Sequence, residues 1–228
     1  MKEDVTRQFG RMRSEDARDA SYSMQGVLRA QKSLRRWRFW EDRYWQGDQL
    51  QTPACVGYAW THWLEAAPVR HGNKVLPVVN PLQLYQSAQK VDEWPGEEYE
   101  GTSVRAGAKV LQRMGFIESY HWAKSVTDIV QAILQVGPVV VGTDWYEGMS
   151  SPFRTTHRMR LTGAVQGGHA YLLTGVNRRR KELRVRNSWG RSWGNCGRAF
   201  ISFISMKRLL QRGGEACLAV EISRGDPR

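Results

Sequence analysis

Apolar residues along this chain keep one spacing in the first half and another in the second. Over 55–67, Val56, Ala59, Trp60, Trp63, Leu64 and Ala67 recur every three or four positions, the period of a helix face. Thr52 and Pro53 lie just before this stretch, and Pro68 ends it. A second helix is predicted over 81–88, with Asn80 as N-cap and Pro81 in its first turn. The acidic stretch 91–101 carries Pro95-Gly96 and reads as a loop. Thr102 or Ser103 then caps a third helix with the face Val104, Ala108, Leu111 and Met114, closed by Gly115. A fourth helix is expected over 127–136, burying Ile129, Ile133 and Leu134. After it the pattern changes. Pro138-Val139-Val140-Val141-Gly142 reads as a buried strand, with further strands over 170–176, 183–186 and 199–204. A short helix over 205–211 and a strand over 216–222 follow. Helices first and strands second predict an α+β protein of two lobes sharing a cleft. The expected division is a charged arm over 1–34 with one short helix near 25–34, a helical lobe over 35–120 and a β-rich lobe over 121–228.

Composition narrows the class. The 228 residues are enough for a sizeable core, and 41% hydrophobic with 25% charged residues exclude wholesale disorder. Ten tryptophans point to wide aromatic packing or a peptide-binding groove. Net charge is +12, with basic clusters at Arg35-Arg36-Trp37-Arg38 and Arg178-Arg179-Arg180-Lys181. No recognition-helix or RNA-sheet motif accompanies them, so they read as solvated faces and a turn, and no specific nucleic-acid site is expected. The charge leaves room for an acidic partner or an assembly role. Three cysteines make no disulfide framework, and none has C-x-x-C spacing, so neither a metal site nor a cofactor is expected. The first ten residues lack the apolar core of a secretory signal, and no run is long enough to span a membrane. The expected setting is therefore reducing, cytoplasmic or virion-associated, with no membrane partner.

The candidate chemistry starts at Arg186-Asn187-Ser188-Trp189-Gly190. An Asn amide beside an indole can orient a histidine and keep water off that hydrogen bond. His169, after Gly167-Gly168 at the start of a strand, is the histidine with a glycine approach, which admits a neighbouring backbone or a substrate. His62 lies seven residues into the helix of Cys55, roughly 10 Å along its axis and out of reach. His71, His121 and His157 lie in charged or loop-like surroundings without such an approach. Cys55 stands at a helix N-terminus, where free N–H groups and the helix dipole favour a thiolate. Its rival fate is that of an inert buried thiol. Gln49, six residues upstream, can curl its side-chain amide toward the reaction site, and Gln51 is its rival by spacing.

Taken together these residues resemble the papain-like cysteine peptidases. The resemblance runs from about residue 37 to 222 and includes Gly190-Arg191-Ser192-Trp193-Gly194-Asn195-Cys196-Gly197. It implies a papain-like two-lobed fold, with a helical lobe, a β-barrel-like lobe and the active-site cleft between them. It implies that Gln49 serves the oxyanion, Cys55 is the nucleophile, His169 is the general base and acid, Asn187 orients it and Trp189 shields the pair. The expected activity is hydrolysis of peptide bonds in a protein or peptide substrate through a thioester. Glu100-Gly101-Thr102-Ser103 is the candidate segment for holding the substrate backbone, with Gly168 as a further candidate, while Trp145, Tyr146 and Met149 either line a pocket or pack as a surface loop over the barrel, which spacing does not decide. The chain departs from the family around the nucleophile, where Thr52 and Val56 replace a cysteine and an aromatic residue. The arm over 1–34 looks like the short lead of microbial and phage relatives. Two alternatives use the same residues: a transamidating or isopeptidase acyl-transfer enzyme, which would usually carry Asp at position 187, and a non-catalytic virion or assembly protein with a retired site.

Overall fold

The computed structural model describes residues 7–30, 33–42, 47–69, 79–96 and 98–222. Its centre is helix α1 (Cys55–Glu65), in which every residue is buried. Apolar residues on all sides of a helix require neighbours on all sides. Helix α2 (Pro81–Gln89) and helix α3 (Val104–Arg113) supply two of them. Asn80 caps α2 by accepting from the Leu82 and Gln83 N–H groups, and Ser103 rather than Thr102 caps α3 through the Ala106 N–H.

The rest is one antiparallel sheet. Its strands are β1 (Trp37–Phe39), β2 (Ile117–Trp122), β3 (Val139–Tyr146), β4 (Val165–Asn177), β5 (Glu182–Arg186), β6 (Arg198–Ser202) and β7 (Glu215–Glu221). The order is β2-β7-β3-β4-β5-β6, with β1 on β4 beyond the end of β3. Successive side chains of a strand face opposite sides. Val139 and Val141 therefore join Tyr171, Leu173 and Leu218 in one core, while Val140 joins Ala170, Leu172, Cys217 and Ala219 in the other. The first core lies against helices α4 (Val126–Gln135) and α5 (Phe203–Gln211), and the second against α1 and α3. The sheet thus separates two cores, and α1 meets β4 where the second core reaches the cleft.

Three expectations need correction. Among the described residues no α-helix forms near 25–34; the arm holds 3-10 turns at Ala17–Ser21 and Met24–Gly26, and Met24 is fully buried against the sheet. The segment 35–120 is not wholly helical, because β1 and β2 pair with β4 and β7. Cross-strand pairing decides such short strands, and their own residues carry too little periodicity to announce it. Strands β3 and β4 also run further than expected, to Tyr146 and from Val165, because each extends the other's ladder.

The α1–α2 contact is tight enough to test. A Cβ on Gly57 would lie 2.1 Å from the Pro81 carbonyl oxygen, which is backbone and cannot swing away. An exposed helical Gly→Ala change gains about 1 kcal/mol. Here overpacking outweighs that gain, and Gly57→Ala is expected to destabilise the chain by about 2 kcal/mol. A urea unfolding midpoint equal to or above that of the parent chain would contradict this.

Candidate active site

Cys55 is the first residue of α1, and its side chain is fully buried. Ala54 before it gives no side-chain cap, so the first-turn N–H groups are free of local competition. Burial pushes the Cys55 thiol above its ordinary value of 9.0, against the opposing backbone N–H groups of Ala170, Gly10 and Val56. His169 lies on β4, also fully buried, and its Nε2 is 2.8 Å from Asn187 Oδ1. The Ser188 N–H donates to the same Oδ1 at 2.9 Å, which fixes that atom as the amide oxygen. An oxygen there accepts, so His169 Nε2 carries the proton and Nδ1 keeps its lone pair. Nδ1 has no hydrogen-bond partner. A neutral imidazole with an unengaged lone pair is the form a general base needs.

Gln49 is buried and held from two sides. Its N–H donates to the Ser188 carbonyl at 2.9 Å, and its Oε1 accepts from Ser188 Oγ at 2.6 Å. That leaves Nε2 to donate, to the Thr52 carbonyl at 2.9 Å and the Gln8 carbonyl at 3.1 Å. Gln51 is exposed, so the structure separates the two candidates that spacing left open. Ser188 ties Gln49 to Asn187 through both its backbone and its hydroxyl. Sequence reasoning passed over it, although it stands between Asn187 and Trp189.

The aromatic residues form a wall behind the histidine. Trp145 packs edge-on against the His169 ring at 4.6 Å, and Trp189 tilts over it at 5.2 Å. Trp145 and Met149 are fully buried and Tyr146 nearly so, which corrects their reading as the lining of an open pocket. Alternation along β3 turns Trp145 inward, where its Nε1 donates to Ser150 Oγ. Trp193 donates to the Ser150 carbonyl, so the second half of the NSWG-x-x-WG stretch anchors the wall.

The cleft holds the chain's own arm. The Arg11 N–H donates to the Gly168 carbonyl at 2.9 Å. The Thr102 N–H donates to the Gly10 carbonyl at 2.8 Å, and the Met12 N–H to the Thr102 carbonyl at 2.9 Å. Gly10 admits no side chain, because a Cβ would sit 1.7 Å from the Pro53 carbonyl oxygen. Gly101, at φ 113°, borders the same backbone, and the Phe9 ring meets both His169 and Trp189 at 5.9 Å. Gly101, Thr102 and Gly168 therefore lie together along one extended peptide, whereas Trp145 is buried against the His169 ring. Among the other histidines, His62 is buried within α1, His121 contacts Ser119, and His71 lies outside the described residues.

Burial, only partly offset by the Asn187 contact and reinforced by the Arg7 charge, lowers His169 from 6.5 to about 4. Between those two pH values the unfolded chain binds a proton here that the folded chain does not, so stability falls as pH drops from 6.5 toward 4. The loss is about 3 kcal/mol across that window. Denaturation midpoints at pH 7 and pH 4.5 test it: His169→Gln is expected to flatten the difference, and an equal slope in both chains would refute the assignment.

Comparisons with known proteins place the chain in a family. The papain family of cysteine proteases matches residues 58–217, a span that contains His169 and Asn187 and begins just after Cys55. An uncharacterised peptidase C1-like protein of Acanthamoeba polyphaga mimivirus is 23% identical over 192 residues, which are 66% of this chain and 61% of that protein. A cathepsin B-like cysteine proteinase of Schistosoma japonicum is 32% identical over 82 residues, 35% of this chain and 24% of that protein. The chain thus spans less than two thirds of either relative. In structure it is similar to xylellain, a cysteine protease from Xylella fastidiosa, with TM-score 0.73 and 17% identity over 95% of this chain and 98% of that one. Digestive procathepsin L2 from the Tenebrio molitor larval midgut gives TM-score 0.66 and 15% identity over 94% of this chain and 78% of that one. Among the described residues no helix is long and apolar enough to cross a membrane.

Proposed function

The chain belongs to the papain family of cysteine proteases, and from that premise we propose that it hydrolyses peptide bonds through Cys55, His169 and Asn187 with a thioester intermediate. His169 Nδ1 takes the Cys55 proton. The thiolate attacks the peptide carbonyl carbon, and the negative charge moves to the carbonyl oxygen, where Gln49 Nε2 and the Cys55 N–H stabilise it. The imidazolium then gives its proton to the leaving amine as the C–N bond breaks. Water, deprotonated by His169, attacks the thioester, releasing a carboxylate and restoring the thiol. Asn187 keeps the ring in the tautomer these steps need without adding charge, and Trp189 keeps water from that bond.

One observation carries the reading: an extended peptide lies across Cys55 and His169, with its Gln8 carbonyl on Gln49 and its neighbouring backbone on Gly168 and Thr102. The surface accepts a peptide, and in this state the peptide is the chain's own. We propose that the arm holds the site shut, which leaves thiol and imidazole dry and neutral, and that its displacement precedes catalysis. A free thiol nucleophile suits a reducing setting, cytoplasmic or virion-associated.

The test uses denatured casein and a thiol-directed epoxide, applied to the full chain with its arm loosened as described below. Casein fragments and an adduct mapped to Cys55 are expected. An adduct confined to Cys196, with casein intact, would overturn the reading.

A further inference from the structure

The peptidase chemistry gives neither basic cluster of the sequence a role, yet the sheet brings the two together. Trp37 pairs with Asn177, Asn177 with Glu182, and Glu182 with Ser202, so four strand ends lie in one row at a single rim. At about 4.8 Å between neighbouring strands that row is about 15 Å across. Arg35-Arg36 leads into it, and Arg178-Arg179-Arg180-Lys181 forms the turn between its middle strands. The backbone ties the clusters to each other, because the Arg178 N–H donates to the Arg36 carbonyl at 2.8 Å. All six of these cationic residues are exposed. The carboxylate nearest in sequence, Glu182, is buried and bound by Arg158 at 2.8 Å, and it lies 3.7 Å from Arg180. It can therefore offset only part of the charge at the rim.

The same rim holds apolar side chains out in water. Leu34 is 85% exposed, Ile204 67% and Trp37 62%, and no other large hydrophobic among the described residues is as exposed as these. Leu34 follows Ser33, whose carbonyl accepts from the Arg178 guanidinium. Ile204, at the start of α5, follows Phe203, whose N–H donates to the Lys181 carbonyl. Trp37 stacks on Phe39 at 6.0 Å, which holds its ring at the start of β1. Single exposed hydrophobics are ordinary, but a group of them bordered by charge marks a contact surface.

Charge and apolarity together choose the partner. We infer that this rim seats the protein on an anionic phospholipid surface, with the arginines at the headgroup phosphates and Leu34, Trp37 and Ile204 below them. A bilayer interface offers negative headgroups over hydrocarbon and accommodates an indole at the boundary. Nucleic acid or an acidic peptide would satisfy the arginines but would give the two aliphatic side chains no apolar phase to enter. The expectation of no membrane partner came from the lack of a spanning run. Crossing a bilayer takes such a run, whereas lying on one takes a basic surface with apolar tips. The inference stands apart from the peptidase reading. Asn177 lies eight residues along β4 from His169, about 26 Å at ~3.3 Å per residue, so the seated protein keeps its cleft clear of the lipid.

The test sediments the full chain with sucrose-loaded vesicles of phosphatidylcholine, with and without phosphatidylserine. Binding to the anionic vesicles alone, weakened by salt, is expected. Each cation at such a surface is worth about five-fold in binding. Arg35→Ala, Arg36→Ala and Arg179→Ala together are therefore expected to lower the partition ~100-fold. Leu34→Ser with Ile204→Ser leaves the net charge untouched and is expected to lower it about ten-fold. All five side chains are exposed, so the fold should survive both sets, and near-ultraviolet circular dichroism checks it. The sets are independent, so if one chain unfolds the other decides. Equal partition onto both vesicle types, or onto neither, overturns the inference. So does a partition onto anionic vesicles that the serine pair leaves unchanged. In that last case a single-stranded oligonucleotide is titrated into the same chains, and equally tight binding by parent and serine pair would reassign the rim to nucleic acid.

Discussion

Replacing Cys55 with alanine is expected to abolish peptide hydrolysis and labelling by a thiol-directed epoxide while the chain still folds. In a comparable serine-nucleophile site, loss of the nucleophile alone lowers kcat by about a million-fold, because the other catalytic groups then have nothing to activate. His169 Nδ1 has no hydrogen-bond partner, and Asn187 and Gln49 are both bonded to Ser188, so in the proposed mechanism these groups act on the Cys55 sulfur alone. Neither remaining described cysteine can substitute: Cys217 is buried in the sheet and its thiol is pushed well above 9.0 by burial, and Cys196 is exposed beyond the Trp193 turn. The small change in side-chain volume at the end of α1 leaves the tryptophan packing in place, so near-ultraviolet circular dichroism should match the parent chain. Residual casein cleavage above one part in a thousand of the parent rate would place the nucleophile elsewhere.

Loosening the arm should have the opposite sign. The latch is Arg105 on α3, whose side chain is 4% exposed and whose guanidinium grips Asp19 with both ends of its fork. Arg105 also lies 3.5 Å from Glu93 and 3.8 Å from Asp16, so removing Asp19 weakens the latch without leaving the charge wholly unpaired. The Arg11–Glu215 pair and the Gly10–Thr102 bonds remain. Breaking a buried pair outright removes about 3–5 kcal/mol. With those reserves, Asp19→Ala is expected to shift the balance toward the released arm by about 2 kcal/mol, roughly 30-fold in its population. The epoxide labelling rate of Cys55 should rise by that factor, and it should rise again in the chain that also carries Arg11→Ala. A labelling rate unchanged by both substitutions would mean that the arm does not limit access. Unfolding is a separate outcome, recognised by loss of the near-ultraviolet signal.

Much of this site was legible in the chain before folding was considered. The helical period after Cys55, the glycines before His169 and the Asn-Ser-Trp-Gly stretch are local signals, and local signals survive in a linear sequence. The helix α1 was expected to begin at Cys55, and it does. Two short elements were less visible. Strands β1 and β2 carry three and six residues and take their form from partners far along the chain. Trp145 was a candidate for a pocket lining, because nothing nearby in the chain shows that its strand turns it under His169. The arm gave the largest surprise. Its residues 7–14 are charged and glycine-bearing, features of a solvated tail, yet Arg11 turns inward and pairs with Glu215 of the sheet.

The division follows from how each kind of information is stored. Amino-acid order by itself determined which residue types stood ready for acyl transfer, their sequence along the chain, and the α+β class, because period, caps and short motifs act over a few residues. Only the tertiary structure decided which amide, Gln49 or Gln51, points inward, that Ser188 joins the two halves of the site, and that Arg11 lies on Glu215. Those contacts link residues far apart in the chain, 204 positions apart in the last case. Their strength comes from the exclusion of water, which exists only once both lobes and the arm are packed together.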